Sequence, residues 1–332
     1  TGDWSSDVCS SDLAFRLLEL IELVRSDARL TAQFGATAIP ADTVRAVIEE
    51  GLTTSVTFKP SATTELQSRI GELSDTEADM ARALSDSIEV LDSPAYQDLP
   101  NERKARVVQV AYSFLRYRQL KILRDETLAE RSHALLKELN GLPADRHQVA
   151  VPRRPEEGHK TRMFGLTTGM DNDRAYGQLD LRVTYHDLLD NPVGYPRGAQ
   201  IAMGNSEIRY TEGGDLALNR FDLIDIVSLS EIDRFLASPS WHVKTGYERV
   251  FAPEPPEAGQ RTGAYYVKAG GGAATRIPGN LTVYAFLDAR LESNSHFKTF
   301  LTPAAGVSGG LLGRTPWGNT RTGVESDYFA ND

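Results

Sequence analysis

The spacing of apolar residues changes once along this chain, near residue 150. Before that point it has the period of helices. "AFRLLELIELVRSD" (14–27) sets Phe15, Leu17, Leu18, Leu20, Ile21 and Val24 on one broad stripe. "IPADTVRAVIEEG" opens with Pro40 and Asp42 as a possible cap and stops at Gly51. "TTSVTFKP" is β-branched and reads as a short strand or an extended link ended by Pro60. "SATTELQSRIGEL" predicts a third helix. In "SDTEADMARALSDSIEVL", Ser74 and Glu77 have the spacing of a capping box. The longest helical run goes from Pro100 to Gly141, with Val107, Val110, Ala111, Phe114 and Leu115 as its stripe. Its Arg and Lys residues read as a solvated face.

"LPADRHQVAVPRRPEEGHK" (142–160) is a linker rich in proline and charge. After it the period becomes two. "QLDLRVTY" alternates Leu179, Leu181, Val183 and Tyr185 with Gln178, Asp180, Arg182 and Thr184. "SWHVKTGYERV", "AYYVKAGGGAATR" and "NLTVYAFLDARLE" repeat the pattern, and about nine such segments are joined by turn-rich links. The predicted fold class is therefore α+β: a helical segment over 14–141, the linker, and an antiparallel β domain over 161–332. Long strands and many glycines suit an up-and-down β-barrel, whole or partial. On period alone a soluble sandwich fits equally well. Three aromatics in the links, Tyr195, Phe235 and Trp317, are what an interface girdle would place there, but they are too few to decide.

Composition narrows the partners. Of 332 residues, 40 % are hydrophobic and 25 % charged, which is a folded composition. The net charge of −10 argues against a nucleic-acid partner. The histidines stand at 133, 147, 159, 186, 242 and 296, with no helical ligand spacing, and one cysteine allows no zinc pattern, so no metal and no cofactor is expected. "AGGGAA" (269–274) lacks the lysine and hydroxyl of a phosphate loop, and reads instead as relief of crowding in a strand. "NLT" (280–282) fits a glycosylation pattern but falls within a predicted strand. There is no apolar run of about 18 residues, and so no transmembrane helix.

The lone cysteine, Cys9, lies in "TGDWSSDVCSSDL" (1–13). Asp3 to Leu13 alternates small and acidic residues and has no apolar face. Its back-translation resembles a common short-read sequencing adapter read in one frame. Residues 1–13 are therefore expected to be an artefact without structure, and Cys9 to have no catalytic role. With no start methionine and no signal peptide, the chain reads as a fragment.

"LLELIELVR", "IPADTVRAV", "YHDLLDNPVGYPRGAQI", "LNRFDLIDIVSL" and "SWHVKTGYER" together resemble Gram-negative envelope proteins with an Lnb-type (lipoprotein N-acyltransferase-like) periplasmic domain. The resemblance runs in order from residue 14 to about 330. It implies an upstream catalytic domain with a cysteine nucleophile, followed by helices and a β-rich half like an outer-membrane barrel. The family's Asn-Cys step would lie just before Ala14, where the adapter-like segment stands. No catalytic residue is carried over. "DYFAND" also lacks the terminal aromatic of a barrel-assembly signal. What the resemblance implies is a non-catalytic part of an envelope protein at the outer membrane, facing the periplasm. Its β domain would anchor or scaffold the catalytic domain of the same parent chain. Outer-membrane lipid is the expected partner and lipoprotein a further one. Alternatives are a lipid- or lipoprotein-binding module and a soluble β-sandwich interaction domain.

Two phrases could carry binding chemistry. "PEEGHKTR" offers His159 and Arg162, with Glu156 and Glu157, against a reading as solvated linker. "YHDLLDNPVGYP" offers Tyr185, His186, Asp187, Asp190 and Tyr195, where a His–Asp pair could do acid–base work. Against that stands a turn marked by Asn191-Pro192 and Gly194.

Overall fold

Ser74 and Glu77 form the box their spacing predicts. The Glu77 carboxylate accepts from the Ser74 amide at 2.8 Å and the Ser74 hydroxyl at 2.7 Å, which starts helix α4 (Asp75–Asp86). The computed structural model describes residues 6–34, 40–121, 126–171, 173–213, 215–251, 261–294, 300–315 and 317–330. Helices α1 (Ser6–Val24) and α2 (Pro40–Glu49) precede α3 (Ala62–Ile70), and α5 (Pro94–Gln97), α6 (Asn101–Lys121) and α7 (Glu126–Leu139) follow α4.

Contacts divide the chain into two units. One is helical and holds residues 54–152 and 233–236. Its core is Leu66, Leu84, Val107, Ala111, Phe114, Leu115, Leu128 and Leu135 with the fully buried Tyr96, whose hydroxyl donates to Glu138 at 2.9 Å. Phe235 belongs to this core, edge-on to Phe114 at 5.3 Å. Arg103 pairs with Glu77 from α6, tying two helices through a buried carboxylate. "TTSVTFKP" is an extended link with no strand pairing.

The other unit holds residues 1–53, 153–232 and 237–332. A small cluster of Leu18, Ala28, Leu30 and Ala46 joins α1 to α2. The Glu22 carboxylate accepts from the amides of Leu30 and Thr31, at 2.6 and 2.8 Å. Of the stripe predicted on α1, only Leu18 is buried; Leu17, Leu20 and Val24 face outward. The expectation of an unstructured opening segment also changes. α1 begins at Ser6, because extending a formed helix adds one hydrogen bond per residue without a new nucleus. Residues 1–5 lie outside the described residues.

Ten antiparallel strands make one sheet: β1 (Met163–Asp171), β2 (Arg174–Arg182), β3 (Thr184–His186), β4 (Ala199–Thr211), β5 (Asp215–Ser228), β6 (Ser240–Phe251), β7 (Arg261–Ile277), β8 (Leu281–Asn294), β9 (Thr302–Thr315) and β10 (Gly318–Phe329). Neighbours in sequence pair in order, and the short β3 adds to β4 beside β2. The α+β class with an antiparallel β domain is therefore the observed one. "QLDLRVTY" divides at Val183 into β2 and β3. The turn before β8 takes Asn280, at φ +58°, so "NLT" starts in a turn.

The sheet curls strongly. Lys268 on β7 reaches Glu325 and Asp327 on β10, at 2.7 and 2.9 Å, over two intervening strands. In a flat sheet those strands would stand about 14 Å apart. Gly270 and Gly272 permit the curl: a Cβ at Gly270 would strike Asp288 and His242, and one at Gly272 the carbonyl of Ala285. The result is a half-barrel whose concave face is polar. On β8, Tyr284, Phe286, Asp288, Arg290, Glu292 and Asn294 are buried, while Ala285, Leu287, Ala289 and Leu291 between them are exposed.

Candidate functional site

The turn after β3 is built from its own polar side chains. The Asp190 carboxylate accepts from the Asp187 amide at 2.8 Å, Asp187 from the Leu189 amide at 2.7 Å, and Asn191 from the Val193 amide at 3.1 Å. Gly194 and Gly198 take positive φ, +83° and +72°, which their lack of a Cβ allows. Asn319 on β10 donates to the carbonyls of Leu189 and Asp190, at 3.1 and 2.6 Å.

This turn meets the end of the linker. His186 and Tyr195 stack in parallel, centroids 4.2 Å apart and planes 3° apart. His159 stacks against both, 4.7 Å from the Tyr195 ring and 5.1 Å from that of His186. His159 Nδ1 is 2.7 Å from the Lys160 carbonyl, so it carries the proton there. His159 Nε2 and His186 Nδ1 share a hydrogen bond at 2.8 Å. Burial pushes the His186 imidazole down to about 4, against the upward pull of Asp190, so the ring is neutral at physiological pH. Burial likewise raises the Tyr195 phenol.

Five of the residues singled out in sequence, His159, His186, Asp187, Asp190 and Tyr195, thus share one cluster or its supporting turn. Tyr185 holds the backbone beside it at φ +75°, a conformation costly for a residue with a Cβ. Arg162 is exposed and lies outside the cluster. Glu156 and Glu157 pair with Arg154, at 3.0 and 2.9 Å. Sequence reasoning missed Arg182, buried on β2, whose guanidinium pairs with Asp190 at 2.5 Å. Its polar place in the alternation of "QLDLRVTY" was the available signal. Of the three link aromatics, Trp317 alone is exposed. Tyr195 is in the histidine stack and Phe235 in a helical core, so a girdle from these three does not form.

Three possible ligand atoms converge here: His159 Nε2, His186 Nδ1 and Asp190 Oδ2. With separations of 2.8, 3.7 and 3.8 Å, a point equidistant from them lies about 2.0 Å from each, a zinc bond length. Each atom already has a hydrogen-bond partner, and the Arg182 charge opposes a second cation beside Asp190. His186 and Asp190, 3.8 Å apart, do not form a hydrogen-bonded dyad.

A second polar constellation lies on the concave face. His242 Nε2 is 2.8 Å from Asp288, and Lys268 lies 3.1 Å from the other oxygen of that carboxylate. Arg290 pairs with Glu248 and Glu292, at 2.6 and 2.5 Å. Tyr266 donates to Asp222 at 2.5 Å, and Lys244 lies 3.2 Å from both Asp222 and Asp225. Paired in this way, buried charges avoid the cost of isolation.

A family model described as Domain of unknown function (DUF7840) matches residues 152–332. The chain belongs to this family. The DUF7840 match covers the whole ten-stranded sheet and the histidine cluster. A second model, Domain of unknown function (DUF7842), matches residues 56–150, nearly the continuous part of the helical unit. The limits of DUF7840 and DUF7842 meet near residue 152, at the division into units and within the linker read from composition. No curated protein and no solved structure matches the chain.

Proposed function

We propose that the DUF7840 sheet is a membrane anchor in a Gram-negative cell envelope, with its convex face in outer-membrane lipid. The observation that carries this reading is the inverted pattern of β7 to β9. Tyr265, Val267, Leu287, Leu291, Val307 and Leu311 point outward and are exposed, while Tyr266, Lys268, Asp288, Arg290 and Glu292 point inward and are buried. A water-soluble sheet buries its apolar face; a membrane barrel does the reverse. β4 to β10 have 12 to 17 residues, long enough for a tilted crossing of about 9–11 residues. A soluble sandwich would cover the apolar stripe with a second sheet, and the described strands form one sheet alone.

No described helix is long and apolar enough to cross a membrane, so strands would carry the insertion. The sequence resemblance supports the same placement. It adds that the anchor serves a cysteine-dependent acyl-transfer domain of the parent protein, for which this chain supplies scaffold and no catalysis.

The test is refolding of the chain from urea with and without lipid vesicles. The expected result is co-flotation with vesicles and a gel mobility that shifts on boiling. A monodisperse, folded chain in buffer without detergent or lipid would overturn the proposal.

A further inference from the structure

The end of the sheet where β7 turns into β8 and β9 into β10 gathers three arginines: Arg276 near the end of β7, Arg314 near the end of β9, and Arg197 in the turn after β3. They line one cavity of about 320 Å³ with Glu231, Asn280 and Thr282. Among the described residues, Glu231 is the sole carboxylate in the lining, and it is already committed. It accepts from Arg276 Nη2 at 2.6 and 2.7 Å, from Arg276 Nε at 3.2 Å, and from the Thr282 hydroxyl at 3.2 Å. Among the described residues, the side chains of Arg197 and Arg314 have neither a hydrogen bond nor an ion pair.

Three cations and one anion leave the cavity with two unmatched positive charges, in a chain whose net charge is −10. Burial holds the Arg314 guanidinium below its ordinary range, repulsion from Arg197 and Arg276 adds to this, and attraction by Glu231 opposes it. Such a cluster costs free energy unless an anion joins it. Guanidinium forks match the oxygens of a phosphate in pairs, and a phosphate monoester carries about the two charges missing here. The turn before Arg197 is fixed by the Asp187, Asp190 and Asn191 hydrogen bonds and by Asn319, so the ordering cost on binding falls mainly on the arginine side chains.

We propose that this cavity binds a phosphate group of the monoester class, gripped by Arg197 and Arg314 with Arg276 behind them. A lipid headgroup and a free phosphate would both present that chemistry. The inference does not rest on the membrane reading, since free phosphate needs no bilayer.

The experiment titrates the full folded chain with inorganic phosphate by calorimetry, and in parallel with nanodiscs of phosphatidylcholine with or without phosphatidic acid. The expected result is salt-sensitive binding that Arg197→Ala weakens about tenfold or more, and that Glu231→Gln strengthens by freeing Arg276. Arg197 is exposed and without a described partner, so Arg197→Ala is expected to melt as the unaltered chain does. Binding of inorganic phosphate supports a free phosphate group as ligand. Binding to phosphatidic acid discs alone supports the headgroup. Binding of neither, or an affinity unchanged in both Arg197→Ala and the double variant Arg197→Ala/Arg314→Ala, overturns the proposal.

Discussion

Leu287 and Asp288 are adjacent on β8 and lie on opposite faces of the sheet: Leu287 is 74 % exposed, whereas Asp288 is 6 % exposed and within 2.8 Å of His242. The first prediction follows from Leu287. If its face is lipid-covered, Leu287→Arg destabilises the folded chain in vesicles by about 2–4 kcal/mol near the midplane, as for arginine on other barrel exteriors. Leu287→Ala loses far less. Urea titration in vesicles reads both, and an arginine effect near zero would place this face in water.

Gly270 gives the second. Its missing Cβ is the space that the His242–Asp288 contact occupies. Gly270→Ala is expected to cost about 1–3 kcal/mol by overpacking. Gly271 has open space at the same point, so Gly271→Ala serves as the control. Equal melting temperatures for the two variants would refute the close-packing account.

The helical unit supplies a pH dependence. Arg103 beside Glu77 holds that carboxyl down at about 2, with the Ser74 box adding to the effect. The folded state binds this proton less readily than the unfolded chain does. The stability it contributes is therefore complete above about pH 4.5 and is lost as pH falls toward 2. Screening at the partly exposed Arg103 limits the contribution to about 1–2 kcal/mol. Glu77→Gln should flatten this part of the acid titration, followed by helical circular dichroism. An unchanged slope would show that Glu77 is not the group responsible.

The histidine stack yields a prediction on metals. The three possible ligand atoms are held by His–His and Arg182–Asp190 contacts, so removing divalent metal with a chelator should leave the melting temperature unchanged. Tyr195→Ala, in contrast, removes the ring on which His186 lies and should expose residues 187–198 to proteases. A chelator-induced drop in melting temperature would show that metal, and not this hydrogen-bond set, holds the cluster.

How legible was this in the sequence? Ser74 and Glu77 announced their helix start, because a cap is decided within four residues. The β alternation was equally plain, because it is a local property. The histidine cluster was legible in part. "YHDLLDNPVGYP" reads as a turn with polar side chains, and the Asp187 and Asp190 hydrogen bonds are that turn. His159 came from a different phrase, and nothing in either phrase relates His159 to His186 across 27 residues. Arg182 had the right polarity in its strand, but its partner is fixed by the fold. Phe235 shows the opposite case: an aromatic in a link, whose place the sequence left undecided, fills a helical core.

The sequence by itself determined the helices, the strands, the change of period and the β alternation. All of these rest on neighbours within a few residues. The tertiary structure decided which face of each strand is buried, and it brought Lys268 to Glu325 and Asp327 and set Arg197 beside Arg314. Those outcomes depend on sheet curl and strand order, which glycines at 270 and 272 permit but no local pattern specifies.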